Sequence, residues 1–143
     1  MDLNYEALEK SISSKIEALY LIYGEEQYLV QVVINKIKKT FGERVLGINY
    51  VLVDESNAES LISILETPAF GYDKKLVIVK NSELFKKDGR KKSGSPLQDK
   101  IADYIENGYD EVADENVLIF TEVEVDKNIV YDAISKKGII TNI

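Results

Sequence analysis

The sequence predicts an α/β fold, a three-layer sandwich in which a five-stranded parallel sheet is covered by helices on both faces. Three observations carry that prediction. Short apolar runs of strand length alternate along the chain with apolar stripes at helical spacing. The runs are apolar almost throughout, as expected of strands buried on both sides. The 143 residues, 45% of them hydrophobic, are enough for one domain that buries about 68–70% of its surface without staples. Right-handed crossovers then leave few topologies.

Each element has its own signature. Tyr5, Leu8, Ile12 and Ile16 recur at three and four residues and form one face of a first helix. Ala18–Tyr23 is a short apolar and aromatic run ended by Gly24, which reads as a buried strand. Leu29, Val30, Val33, Ile34, Ile37 and Phe41 trace the next helix, with Glu25 and Glu26 at its start and Lys36, Lys38 and Lys39 near its end, complementing the helix dipole. Ile48–Val53 is a second strand. Ser56-Asn57-Ala58-Glu59 has the form of a capping box for a helix carrying Ala58, Leu61, Ile62 and Leu65. Thr67 precedes Pro68 and is driven out of the helical region, so that helix ends near Glu66.

Leu76–Val79 is the third strand. Ser95 and Pro96 pair as cap and first-turn residue for a helix bearing Leu97, Ile101, Tyr104 and Ile105, closed by Gly108. Val117–Thr121 is the fourth strand. Asp126 is the expected cap of a helix with Ile129, Val130, Ala133 and Ile134, ended by Lys136, Lys137 and Gly138. Gly138–Asn142 supplies the fifth strand. No internal repeat is present. The irregular stretch Lys86–Ser95 reads as a mobile surface loop.

Composition excludes whole classes of chemistry. The chain has no cysteine and no histidine, so it has no disulfide, thiolate nucleophile, cysteine zinc site or Ser-His-Asp arrangement. No apolar run approaches the roughly 18–20 residues that span a bilayer, and the opening MDLNYEALEK is acidic and amphipathic, unlike a signal peptide. Cytoplasmic residence with no membrane association is the expectation. The net charge is −7, unevenly spread. Lys86, Lys87, Arg90, Lys91 and Lys92 against the single Asp88 make residues 86–92 locally +4, which leaves −11 elsewhere. Such a body does not suit a broad grip on phosphate backbone; the basic loop is either solvated or a local DNA contact.

In open α/β sheets, ligands bind beyond the carboxyl ends of the strands. A phosphate loop laid on Gly24 would need glycine, lysine and a hydroxyl residue where Leu29, Val30 and Gln31 stand. Cradle, cation and magnesium ligand are lost together. Glu25, Glu26 and Asp54 could gather and bind Mg²⁺ through oxygen, which keeps open a small Mg²⁺- or nucleotide-dependent enzyme. The plainer reading assigns the glutamates to the helix N-terminus and Asp54 to its turn. The nine tyrosines suggest stacking platforms for single strands, but Tyr5, Tyr20, Tyr23 and Tyr104 fall among apolar positions and read as core. The connector Thr67-Pro68-Ala69-Phe70-Gly71-Tyr72 is different. Its proline, glycine and two aromatics can present an apolar prong to a partner's pocket, although periodicity alone would leave Phe70 in the core.

Several segments carry a family resemblance in their order and spacing. They are Leu19-Tyr20-Leu21-Ile22-Tyr23-Gly24-Glu25-Glu26 with Tyr28-Leu29, then Glu66–Gly71 running into Lys75–Asn81, and then Val117–Phe120, Val125-Asp126-Lys127 and Lys136-Lys137-Gly138. The resemblance is to the bacterial DNA polymerase III delta subunit family. It implies an AAA+-like domain of the P-loop-NTPase kind that lacks a functional phosphate loop, with no cofactor, no metal and no catalysis of its own. It also implies DNA replication as part of the DNA polymerase III holoenzyme, a DNA-directed DNA polymerase. The implied partners are the beta sliding clamp, the tau/gamma and delta prime subunits of the clamp loader, and primed DNA. By position, the clamp-binding prong would be Ala69 and Phe70, flanked by Pro68, Gly71 and Tyr72. Ala69 is smaller than the aliphatic residue relatives often carry, which shifts the contact onto Phe70. Residues 1–143 would then be the N-terminal domain, with the lid and collar domains of the full subunit outside this chain.

Overall fold

The computed structural model describes residues 1–87 and 94–143. Five strands form one parallel sheet: β1 Leu19–Tyr23, β2 Tyr50–Val53, β3 Lys75–Lys80, β4 Asn116–Glu122 and β5 Ile139–Asn142. Their order across the sheet is β2-β3-β4-β1-β5. Register runs from Leu19 opposite Leu118, Tyr20 opposite Ile139, Tyr50 opposite Leu76 and Lys75 opposite Asn116. Among the described residues, five α-helices join them: α1 Tyr5–Ser14, α2 Gln27–Phe41, α3 Leu61–Glu66, α4 Pro96–Asn107 and α5 Ile129–Lys137.

Alternation along the strands divides the core in two. Leu19, Leu21, Val77, Val79, Leu118 and Phe120 point to one face, where residues of α3, α4 and α5 cover them. Tyr20, Ile22, Leu76, Ile78, Val117 and Ile119 point to the other, under α1 and α2. Tyr20 is fully buried, and its hydroxyl accepts from the Glu17 backbone N–H at 2.7 Å. Tyr109 is buried as well, with its hydroxyl donating to the Ala18 carbonyl at 2.6 Å.

The expected elements all form, with local differences that have physical causes. Ile16 lies beyond the end of α1 at Ser14 and still packs on the α1/α2 side of the core. β2 starts at Tyr50 because Asn49, itself buried, accepts from Val45 N–H at 2.6 Å and donates to the Glu43 carbonyl at 2.8 Å, pinning a turn where Ile48 was expected to extend. Ser56 does not cap. Its hydroxyl is held by the Asp54 carboxylate at 2.5 Å, and the chain enters α3 through a 3₁₀ turn at Ala58–Ser60. Asp126 does not cap α5 either. Asn128 does, accepting from Tyr131 N–H at 3.1 Å, while Asp126 accepts from Lys87 N–H at 2.7 Å. The Ser95 cap forms a full capping box with Gln98.

Candidate functional site

The connector between α3 and β3 combines a fixed base with a free tip. Thr67 leaves the helix in an extended conformation, as the following proline requires. Tyr72 N–H donates to the Ala69 carbonyl at 3.1 Å and closes a tight turn around Phe70, with Gly71 in the left-handed region at φ +83°. Phe70 stands at the tip and is 87% exposed. Pro68 and Gly71 are exposed beside it, whereas Ala69 and Tyr72 are half-buried. Phe70 and Pro68 also form one wall of a groove of about 540 Å³, whose other walls include Ile48 and Val51 at the β2 edge and Ile64 on α3.

The base is tied from below by two buried polar side chains that composition and spacing had not singled out. Lys75, the first residue of β3, is 3% exposed, and its ammonium donates to the carbonyls of Ile64 and Thr67. Asn116, the first residue of β4, donates to the carbonyls of Leu65 at 3.0 Å and Val112 at 2.9 Å. Thr67 completes the set, its hydroxyl donating to the Ser63 carbonyl at 2.7 Å. The Thr67 N–H caps the Ser63 and Ile64 carbonyls at 3.1 and 3.3 Å, the side-chain donors add to these and supply Leu65, and a cation sits where the helix dipole favours it. Burial holds the Lys75 pKa below its ordinary value, an effect opposed by the nearby Glu115. One signal of Lys75 was legible. With period two it shares the inward face with Val77 and Val79, where lysine is rare unless paired.

At the opposite edge, the strand ends do not assemble a ligand site from the expected carboxylates. β3 and β4 lie between β1 and β2. At about 4.8 Å per strand, that separates Glu25 and Glu26 from Asp54 by about 14 Å across the sheet. Among the described residues, no three carboxylates cluster as metal ligands. The turn after β1 is filled by the protein itself. Gln27 donates to the Gly24 carbonyl at 2.5 Å, and the Ile143 carbonyl lies so close that a Cβ on Gly24 would meet it at 1.9 Å. Asp54 serves its turn, and the bonds from the Ser56 hydroxyl and N–H hold its pKa low. Glu122, at the end of β4, has a pKa raised by burial despite accepting from Ser82 N–H at 3.1 Å.

Of the basic loop, Lys86 pairs with Glu83 at 2.6 Å, and the carbonyl of Lys86 accepts from Gln98 at 2.8 Å. Lys87 is held through its N–H by Asp126, and Gly94 through its N–H by Asp99 at 3.2 Å. The ends of the expected loop are therefore fastened to α4 and to the segment before α5. Arg90, Lys91 and Lys92 lie outside the described residues. No described helix is long and apolar enough to cross a membrane.

Fold and site together define a parallel α/β domain with a self-filled turn at the first strand and an exposed aromatic presented from the opposite edge. The family model for DNA polymerase III, delta subunit matches residues 20–140, and the chain belongs to that family. A protein of Aquifex aeolicus (strain VF5) described as "Probable DNA polymerase III subunit delta" is 34% identical over 98 residues, 65% of this chain and 27% of that protein. The Bacillus subtilis DNA clamp loader delta protein shares the fold with a TM-score of 0.77 at 22% identity, over 97% of this chain and 42% of its own. A DNA polymerase III gamma subunit-related protein of Thermotoga maritima matches with a TM-score of 0.59 at 12% identity, over 97% of this chain and 45% of its own. The chain thus spans under half the length of each.

Proposed function

We propose that this chain is the clamp-engaging, N-terminal part of a DNA polymerase III delta subunit, acting in replication by binding the beta sliding clamp through Phe70. The observation that supports this most is the isolated aromatic, 87% exposed, on a base tied down by buried hydrogen bonds. A large apolar side chain held out to solvent loses hydrophobic energy unless a partner's pocket receives it, and a rigid base lowers the entropy cost of docking. Pro68, Ala69, Gly71 and Tyr72 frame the contact. The domain needs no cofactor, metal or hydrolysis of its own. Preferring an opened clamp to a closed one shifts the clamp's equilibrium by the difference in affinity. The other clamp-loader subunits, in the cytoplasm, supply the nucleotide chemistry and complete the assembly on primed DNA.

Titration of the chain against a purified bacterial sliding clamp, without nucleotide, tests this reading. Saturable binding is expected, and Phe70→Ala should weaken it about 30-fold, the loss of a hot-spot aromatic. Equal binding by parent and variant would remove Phe70 from the contact. No binding by the parent would remove the clamp.

A further inference from the structure

The tie beneath the prong has a consequence for binding that rests on the reading of Phe70 given above. Lys75 projects from β3 into the gap between α3 and the connector, where its ammonium joins the last turn of the helix, through Ile64, to the first residue of the connector, Thr67. These two carbonyls bracket the chain's exit from α3. Pro68 follows directly, and its fixed φ passes the orientation of Thr67 on to the tip. Asn116 fixes the intervening Leu65 carbonyl from the neighbouring strand, so the prong's root is referenced to two adjacent interior strands, β3 and β4. Among the described residues, the tip's own hydrogen bond is the Tyr72-to-Ala69 turn bond. The direction of Phe70 is therefore set from below.

We propose that Lys75 is the positioning residue of the prong, its buried ammonium holding Phe70 in the pose that the clamp's pocket receives. An apolar residue at position 75 would fill the same space but leave the Thr67 carbonyl without its donor and the Ile64 carbonyl with the Thr67 N–H at 3.3 Å alone, which unties the connector from the helix. The connector would then sample several directions, and the partner would bear the cost of selecting one. Lys75 itself need not touch the partner.

A double-mutant cycle on the full chain against the purified sliding clamp tests this. Lys75→Met should weaken binding about ten-fold. In the Phe70→Ala background the same change should weaken it less than about two-fold, because a residue that acts through Phe70 has nothing left to position. Lys75→Arg, which keeps a cation and donors, should recover most of the affinity. A purely structural lysine would instead lower melting while costing the same affinity in both backgrounds, and that result overturns the proposal. Parental binding by Lys75→Met, alongside weakened binding by Phe70→Ala, overturns it and leaves the prong intact. Parental binding by Phe70→Ala overturns the prong reading and this proposal with it. If Lys75→Met melts below the assay temperature, Lys75→Gln, which is neutral and shorter but keeps a donor, goes through the same cycle with the same criteria.

Discussion

Phe70 separates two readings that its sequence context leaves open. A core phenylalanine cut to alanine costs about 3–5 kcal/mol, whereas a surface change away from special features stays within about 0.5 kcal/mol. At 87% exposure, Phe70→Ala should leave the thermal midpoint within a degree or two of the parent, a shift of well under 1 kcal/mol for a domain of this size. A large drop in a melting scan would show that the ring packs against the body in solution. Pro68 and Gly71 made the connector legible, since they forbid both a longer helix and a regular strand. Periodicity alone did not say whether the ring turned inward or outward, because that depends on the path of the connector past the groove lined by Ile48, Val51 and Ile64, which come together only in the folded chain.

At the scale of elements, competition for hydrogen bonds explains where sequence expectation and structure part. Asp126 and Asn128 are both competent caps two residues apart. Asn128 wins because one side chain can accept from Tyr131 N–H and also donate to the buried Leu84 carbonyl at 2.8 Å. Asn128→Ala should therefore cost about 2 kcal/mol in denaturant unfolding, and Asp126→Ala at most about 1 kcal/mol. The reverse order would return the cap to Asp126. In the same way, Asp54 captured the hydroxyl that Ser56 would have used for capping. The Ser95 cap was legible because Pro96 and Gln98 both support it. Glu122 adds a pH dependence. Burial raises its folded pKa above the ordinary 4.5, so the unfolded chain ionises first, and stability falls as pH rises through the folded value. Glu122→Gln should match the parent below about pH 4.5 and become the more stable of the two toward neutrality, as followed by melting across pH. A gap that closes toward neutral pH would contradict the burial argument.

Over the whole molecule, the two edges of the sheet have different characters. The carboxyl edge, where α/β proteins usually hold ligands, has its first turn occupied by Gln27 and Ile143 and its acidic residues spread over separate strands. The amino edge carries the prong. Neither Mg²⁺ nor ATP should therefore raise the melting temperature, since a ligand of the native state stabilises it by mass action. A rise abolished by Glu25→Gln, Glu26→Gln and Asp54→Asn would restore the metal-dependent alternative. The order of strands and helices was legible from periodicity because each strand is buried on both faces. The contrast between the two edges was only half legible. The missing phosphate loop is a matter of residue identity, but the root of the prong depends on Lys75 and Asn116, which meet α3 across the fold.

The central claim, a clamp opener that works by differential affinity, is tested most directly by clamp retention on circular DNA. The clamp would be loaded on a nicked circle, the loader and nucleotide removed, and the fraction still bound followed after this chain is added without ATP. Loss of the clamp should accelerate with the parent chain and stay at the spontaneous rate with Phe70→Ala. A clamp that binds the parent chain yet stays on the circle as long as before would contradict the account.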